Sequence, residues 1–176
     1  MESLSPSSLT GPYVVMGVCG CGKSSVAELL ALRTGGKYLD ADEFHSESNK
    51  AKMAAAIPLS DEDRWPWLGA VNSELKAQIK MGVPIFLACS ALKQSYRDRL
   101  SQGLPDLRFI YLQGSKELIR ERMQSRRNHF MPVALVESQF ELLEEPSEAI
   151  VGDISLPLPL LVESILARIG VKNSLL

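Results

Sequence analysis

Cysteine is scarce: three residues, Cys19, Cys21 and Cys89, an odd number that cannot close a paired disulfide framework. Two of them, Cys19 and Cys21, sit in a glycine-rich loop and Cys89 ends an apolar run, none in a surface turn, which points to a reducing, cytoplasmic setting. An excess of charge of either sign is also missing. Nineteen Lys and Arg against 21 Asp and Glu leave a net charge of −2, so no basic surface advertises nucleic acid or an anionic membrane. The longest apolar run, about 83–92, contains Pro84 and Ser90 and is too short to cross a bilayer. Residues 1–12 are rich in serine and lack both arginine and an apolar centre, fitting neither a secretory signal nor a transit peptide. They read as a flexible leader to a single domain over 13–176, uninterrupted by repeats or low-complexity linkers.

What is present begins with Gly17-Val18-Cys19-Gly20-Cys21-Gly22-Lys23-Ser24, a complete G-x-x-x-x-G-K-[ST] phosphate loop directly after the apolar Tyr13-Val14-Val15-Met16. Glycines let the main chain curl around an anion, so the backbone from Gly17 to Ser25 is expected to grip a nucleoside triphosphate. Lys23 supplies a point charge at the β- and γ-phosphates, and Ser24 a hydroxyl for Mg²⁺. Val26, Leu29 and Leu30 follow at helical spacing, and the N-terminus of that helix also favours phosphate.

Short apolar runs alternate with longer helical patterns along the rest of the chain. Strands are expected near 13–18, 37–40, 84–89, 108–112 and 150–154, and helices near 23–33, 61–80, 92–101, 116–126, 132–143 and 160–169. Ser60 is placed to cap the second of these helices, with Asp61, Glu62 and Asp63 in its first turn. The fold class that follows is α/β: a P-loop kinase fold with a five-stranded parallel sheet, helices on both faces, and a small helical lid at about 122–133. Ligands in such sheets gather beyond the carboxyl ends of the strands, which directs attention to the residues after Leu39, Ala88 and Leu112.

Asp40-Ala41-Asp42-Glu43-Phe44-His45 follows the second strand. Alternation along a strand end would turn Asp40 and Asp42 together toward the phosphate loop, one for the Mg²⁺ shell and one to accept a proton from an attacking hydroxyl; a polar turn is the plainer alternative. The third strand ends Leu87-Ala88-Cys89-Ser90, without the metal-binding aspartate of motor ATPases and GTPases, and Asn49-Lys50-Ala51-Lys52 lacks the aspartate of a guanine-reading motif. A small kinase fits better than a motor or switch. Arg120, Arg122, Arg126 and Arg127 cluster at the lid, where Arg122 and Arg126 share a helix face and can close over the triphosphate, Arg126 stabilising the transferring phosphoryl group; a solvated basic face is the alternative. Arg64, Lys93 and Arg97 are candidates to neutralise an acidic acceptor. Trp65 and Trp67 read more readily as packing residues.

The stretches MGVCGCGKS, DADEFH, NKAKM, IPLSDEDRWPWL, CSALKQSYRDRL, FIYL, RRNHFM and SQFELLEEP occur in this order over about 13–147 and together resemble the gluconokinases of the P-loop kinase class. The resemblance implies ATP- and Mg²⁺-dependent phosphorylation of D-gluconate to 6-phospho-D-gluconate, feeding the pentose phosphate route, commonly in a homodimer. It departs at Ala41, Ser46 and Asn128, where the family usually has Gly, Pro and Gly. Under this reading Lys23, Asp42 and Arg126 are catalytic, with Asp42 acting on the acceptor hydroxyl. Ser24 and Asp40 serve the metal, Arg122 and Arg126 the nucleotide, and Asp42, His45, Arg64, Lys93, Arg97 and His129 the sugar acid. Shikimate kinase, another small-metabolite kinase, and a nucleotide-binding regulatory module are the competing readings. Cys19 and Cys21 carry two expectations of their own: reactive thiols with a pKa lowered by the loop's N–H donors, or small side chains buried for their size.

Overall fold

The apolar runs pair into a five-stranded, all-parallel sheet in the order β2-β3-β1-β4-β5. The strands are β1 (Pro12–Met16), β2 (Lys37–Asp40), β3 (Ile85–Ala88), β4 (Arg108–Gln113) and β5 (Ile150–Asp153). They belong to a computed structural model that describes residues 9, 11–125 and 133–171. Each lies within two residues of its expected position, since buried parallel strands are written as short continuous apolar runs. Of the segment read as a leader, Leu9 packs partly buried against the core.

Strand alternation sorts the side chains onto two faces. Tyr13, Val15, Phe86, Ala88, Ile110 and Leu112 point into one apolar cluster, where α1 (Lys23–Thr34) and α7 (Leu158–Arg168) supply Val26, Leu30, Leu161 and Ile165. Val14, Met16, Ile85, Leu87 and Tyr111 point the other way, against α3 (Asp61–Gln78) and α4 (Gln94–Ser101), which contribute Leu68, Val71, Leu75 and Leu100. Fully burying one such aliphatic side chain stabilises by about 1.5–3 kcal/mol, so this double-sided core anchors the sheet that carries the site.

Ser60 caps α3 as expected, and Asp63 returns the bond: Ser60 Oγ accepts from the Asp63 N–H at 3.2 Å and Asp63 Oδ2 accepts from the Ser60 N–H at 2.9 Å. The helix runs to Gln78 and tightens into a 3₁₀ turn, Ile79–Met81. The polar turn weighed as the alternative after β2 is present, as the 3₁₀ turn Ala41–Phe44, and is followed by α2 (Glu47–Ala54), which is absent from the expected helices. The only buried residue of α2 is Asn49, so it has no apolar stripe for a periodicity reading to find. Helices α5 (Lys116–Ser125) and α6 (Val133–Leu142) flank 126–132, which lies outside the described residues together with the lid residues Arg126, Arg127, Asn128 and His129.

Candidate active site

The strand register brings the site together. Val15, Asp40 and Ala88 lie in one row across β1, β2 and β3, so the phosphate loop, the Asp40 turn and Ser90 all leave the same edge of the sheet. The loop is tied to β3 by the Gly17 N–H donating to the Ser90 carbonyl at 3.3 Å. Gly17 has φ 149°, and a Cβ there would come within 2.7 Å of Cys21 Sγ and 3.1 Å of the Leu112 carbonyl oxygen. Packing therefore demands glycine at that position as much as the motif does. Lys23 Nζ donates to the Val18 carbonyl at 3.0 Å, within the loop it serves. On the outer side, the Cys19 N–H is held by Gln139 Oε1 of α6 at 2.6 Å, a loop anchor with no motif signature of its own.

β2 ends at Asp40, so Asp40 and Asp42 are not alternate positions of one strand as expected. Asp40 Oδ1 instead accepts from the Asp42 N–H at 2.9 Å and caps the 3₁₀ turn that carries Asp42. Asp42 still sits near Lys23, whose charge acts on it, while desolvation and the Asp40 carboxylate push its pKa upward. The turn, rather than strand alternation, gives the two carboxylates separate environments. Tyr38 donates its hydroxyl to Asp40 Oδ2 at 3.3 Å and also lies beside Ser24. Ser24 and Asp40 are hard oxygen donors of the kind Mg²⁺ takes. Among the described residues no group of three or more His, Cys, Asp or Glu is arranged to hold a metal alone.

His45 is 6% exposed, stacked on Trp67 at 4.1 Å between centroids, with Nε2 3.8 Å from Asp42 Oδ1. Burial, then the positive charges of Arg64 and Lys50, lower its pKa to about 4, so the ring is neutral at pH 7. Arg64 and Lys93 meet around two residues that sequence reasoning missed as a site. Lys93 Nζ donates to Asp61 at 3.1 Å, Arg64 Nη1 donates to the Tyr96 hydroxyl at 3.2 Å, and Tyr96 donates to Asp61 Oδ1. The hydrogen bonds from Tyr96 and Lys93 hold Asp61 below the usual carboxylate range. Two cations against one anion leave this cluster with a net charge of +1.

Arg97 does not join them. It is 2% exposed, its Nη1 donating to the carbonyls of Ala91 (2.8 Å) and Leu92 (3.0 Å) and its Nη2 to Gln94 Oε1 (3.0 Å) and the Glu144 carbonyl (2.8 Å). With every Nη hydrogen spent on protein, it serves the backbone rather than an acceptor carboxylate. The reactive-thiol expectation is overturned as well. Cys19, Cys21 and Cys89 are all buried, and desolvation raises each pKa, to about 12 for Cys89, outweighing Lys23 and the loop N–H groups. A thiol reagent at pH 7.5 is expected to leave the folded protein unlabelled over minutes and to modify three thiols once denaturant is added; rapid labelling of the native loop, read by mass spectrometry, would refute this.

Beside the loop opens a cavity of about 280 Å³ lined by Cys21, Gly22, Ser25, Arg122 and, from the segment after β5, Leu156 and Leu158. Arg122 is fixed there by donating to the Ile154 carbonyl. Extending the rule of the strand ends to β5 would have found this apolar wall. No helix among the described residues is long and apolar enough to cross a membrane.

Residues 19–150 match the family model described as Shikimate kinase. A probable gluconokinase of Mus musculus is 46% identical over 154 residues, 78% of this chain and 84% of that protein. The thermosensitive gluconokinase of Escherichia coli K12 is 46% identical over 134 residues, 76% and 72% of the two chains. The crystal structure of a gluconokinase from Sinorhizobium meliloti 1021 superposes with a TM-score of 0.84 at 42% identity, covering 92% of this chain and 93% of that one. The chain belongs to the gluconokinase family. The Shikimate kinase match runs from within the phosphate loop to the start of β5, and the gluconokinase likeness adds 42–46% identity over 76–92% of the chain.

Proposed function

We propose that the protein is an ATP-dependent gluconokinase, transferring the γ-phosphoryl group of ATP to the primary hydroxyl of D-gluconate to give 6-phospho-D-gluconate. The observation that carries this reading is the Arg64–Lys93–Asp61 cluster, with a net charge of +1, which follows the carboxyl end of β3 and lies close enough for the Arg64 charge to act on His45. It matches one carboxylate on an acceptor whose far end reaches Asp42. Loop N–H groups and Lys23 hold the triphosphate, and the cavity wall of Leu156, Leu158 and Arg122 takes the nucleoside end. Asp42 orients the hydroxyl and receives its proton as the phosphoryl group leaves ADP. Ser24 and Asp40 would hold Mg²⁺, which neutralises charge on the phosphate oxygens when bound. Arg126 and His129 keep the lid roles that the family resemblance implies. A cytoplasmic homodimer serving the pentose phosphate route goes with this reading.

The test is ADP release measured with gluconate, with shikimate and without acceptor. Gluconate dependence is expected; shikimate dependence, or ATP binding without turnover, would sink the reading. Lys93→Met is then expected to raise the KM for gluconate about 10- to 100-fold, the worth of a charge-assisted hydrogen bond of about 1.5–3 kcal/mol, with the KM for ATP unchanged.

A further inference from the structure

Asn49 heads the Asn49-Lys50-Ala51-Lys52-Met53 stretch that no step above uses, yet it is 4% exposed and the one buried residue of α2. Its Nδ2 donates to the Asp63 carbonyl at 2.9 Å. A carbonyl only accepts, so this contact identifies which end of the carboxamide is nitrogen. The same Nδ2 lies 3.3 Å from His45 Nδ1, and its second hydrogen makes Nδ1 an acceptor. In a neutral imidazole an accepting Nδ1 leaves the ring proton on Nε2.

The rest of the surroundings hold that ring still. Trp67 stacks on it with planes 17° apart and is itself pinned by its Nε1–H donating to the Ala41 carbonyl at 2.7 Å. Asp63, which receives the other Asn49 hydrogen, is fixed by Lys52 at 2.8 Å and by the Ser60 cap. The Nε2–H therefore faces Asp42 Oδ1 across 3.8 Å, too far for a direct hydrogen bond and close enough for one oxygen atom to reach both.

We propose that Asn49 locks His45 in its Nε2–H tautomer, so that His45 and Asp42 together hold one acceptor hydroxyl, His45 donating to its oxygen and Asp42 accepting its hydrogen. The proposal rests on the reading of Asp42 as the group that meets the acceptor hydroxyl. Such a pair selects an alcohol chemically. An ammonium has no lone pair for the Nε2–H, and a methyl group satisfies neither partner. Asn49 touches no substrate; it is a positioning residue.

The chain contains two histidines, so the two-bond ¹H–¹⁵N spectrum of the ligand-free protein holds two ring systems, and His45→Gln identifies the one that belongs to His45. At pH 7.5 that ring is expected to show a pyridine-like Nδ1 and a pyrrole-like Nε2. Asn49→Asp, whose carboxylate accepts from an Nδ1–H, is expected to reverse the pattern. Kinetics separate hydrogen bonding from packing: His45→Gln retains an N–H donor near the Nε2 position, while His45→Phe retains the stack on Trp67 without one. The KM for gluconate is expected to rise less than about fivefold in the first and about 10- to 50-fold in the second, with the KM for ATP within twofold in both. A pyrrole-like Nδ1 in the wild-type protein, or a Phe variant that binds acceptor as well as the Gln variant, would overturn the proposal. Should gluconate support no turnover at all, the functional reading fails, and the spectrum still decides the tautomer.

Discussion

Asp42→Asn is expected to lower turnover about 10²- to 10⁴-fold, the range of a positioned general base, while ATP affinity measured by calorimetry stays within a few-fold. The substitution preserves size, and the turn that carries the residue is held by Asp40 accepting from the residue-42 N–H, a backbone contact that does not depend on the side chain. What is lost is a carboxylate whose pKa desolvation and Asp40 raise above the ordinary 3.8. The sign has a kinetic consequence. In the role proposed for Asp42 the deprotonated form is the active one, so wild-type kcat/KM should fall as pH drops through a value above 3.8, and that limb should vanish from the residual activity of the Asn variant. Unchanged turnover would remove Asp42 from the chemistry.

Arg97→Met is expected to act on stability instead. It strands the buried Ala91 carbonyl and takes the guanidinium from the Glu144 carbonyl, while the Leu92 carbonyl keeps the Glu144 N–H; two lost hydrogen bonds from a charged group cost about 3 kcal/mol together. For a chain of this size that corresponds to a drop in Tm of roughly 6–12 °C, measurable by calorimetry. The KM for gluconate, taken at a temperature where both proteins are folded, should stay within about threefold. A rise of tenfold or more in KM with an unchanged Tm would return Arg97 to the acceptor site. Lys93→Met provides the opposite signature, so the two neighbours in CSALKQSYRDRL separate a structural cation from a binding one.

That separation also marks how far the sequence could be read. The phosphate loop, the five strands and the α3 cap were legible because each is local chemistry: glycine geometry, apolar runs, a Ser-x-x-Asp box. Arg97 was misplaced because an arginine near a strand end looks the same whether its fork meets a carboxylate or three backbone carbonyls, and only long-range packing against Glu144 decides. Helix α2 was invisible because its buried face is a single asparagine. The thiols of Cys19 and Cys21 show a local rule losing to a tertiary one, since burial outweighs the loop's N–H groups and Lys23. Asp61 and Tyr96 were hidden for a related reason, a hydrogen bond between residues 35 positions apart in sequence.

The hydrogen bond from Lys23 to the Val18 carbonyl bears on how tightly nucleotide is held. A free lysine side chain carries about 2 kcal/mol of rotamer entropy, normally lost when its ammonium is immobilised on a phosphate. In the role proposed for Lys23, this hydrogen bond already orders the side chain before a triphosphate arrives. Preorganisation of 1.5–2 kcal/mol is worth roughly ten- to thirty-fold in affinity, gained without any contact beyond those the loop already makes.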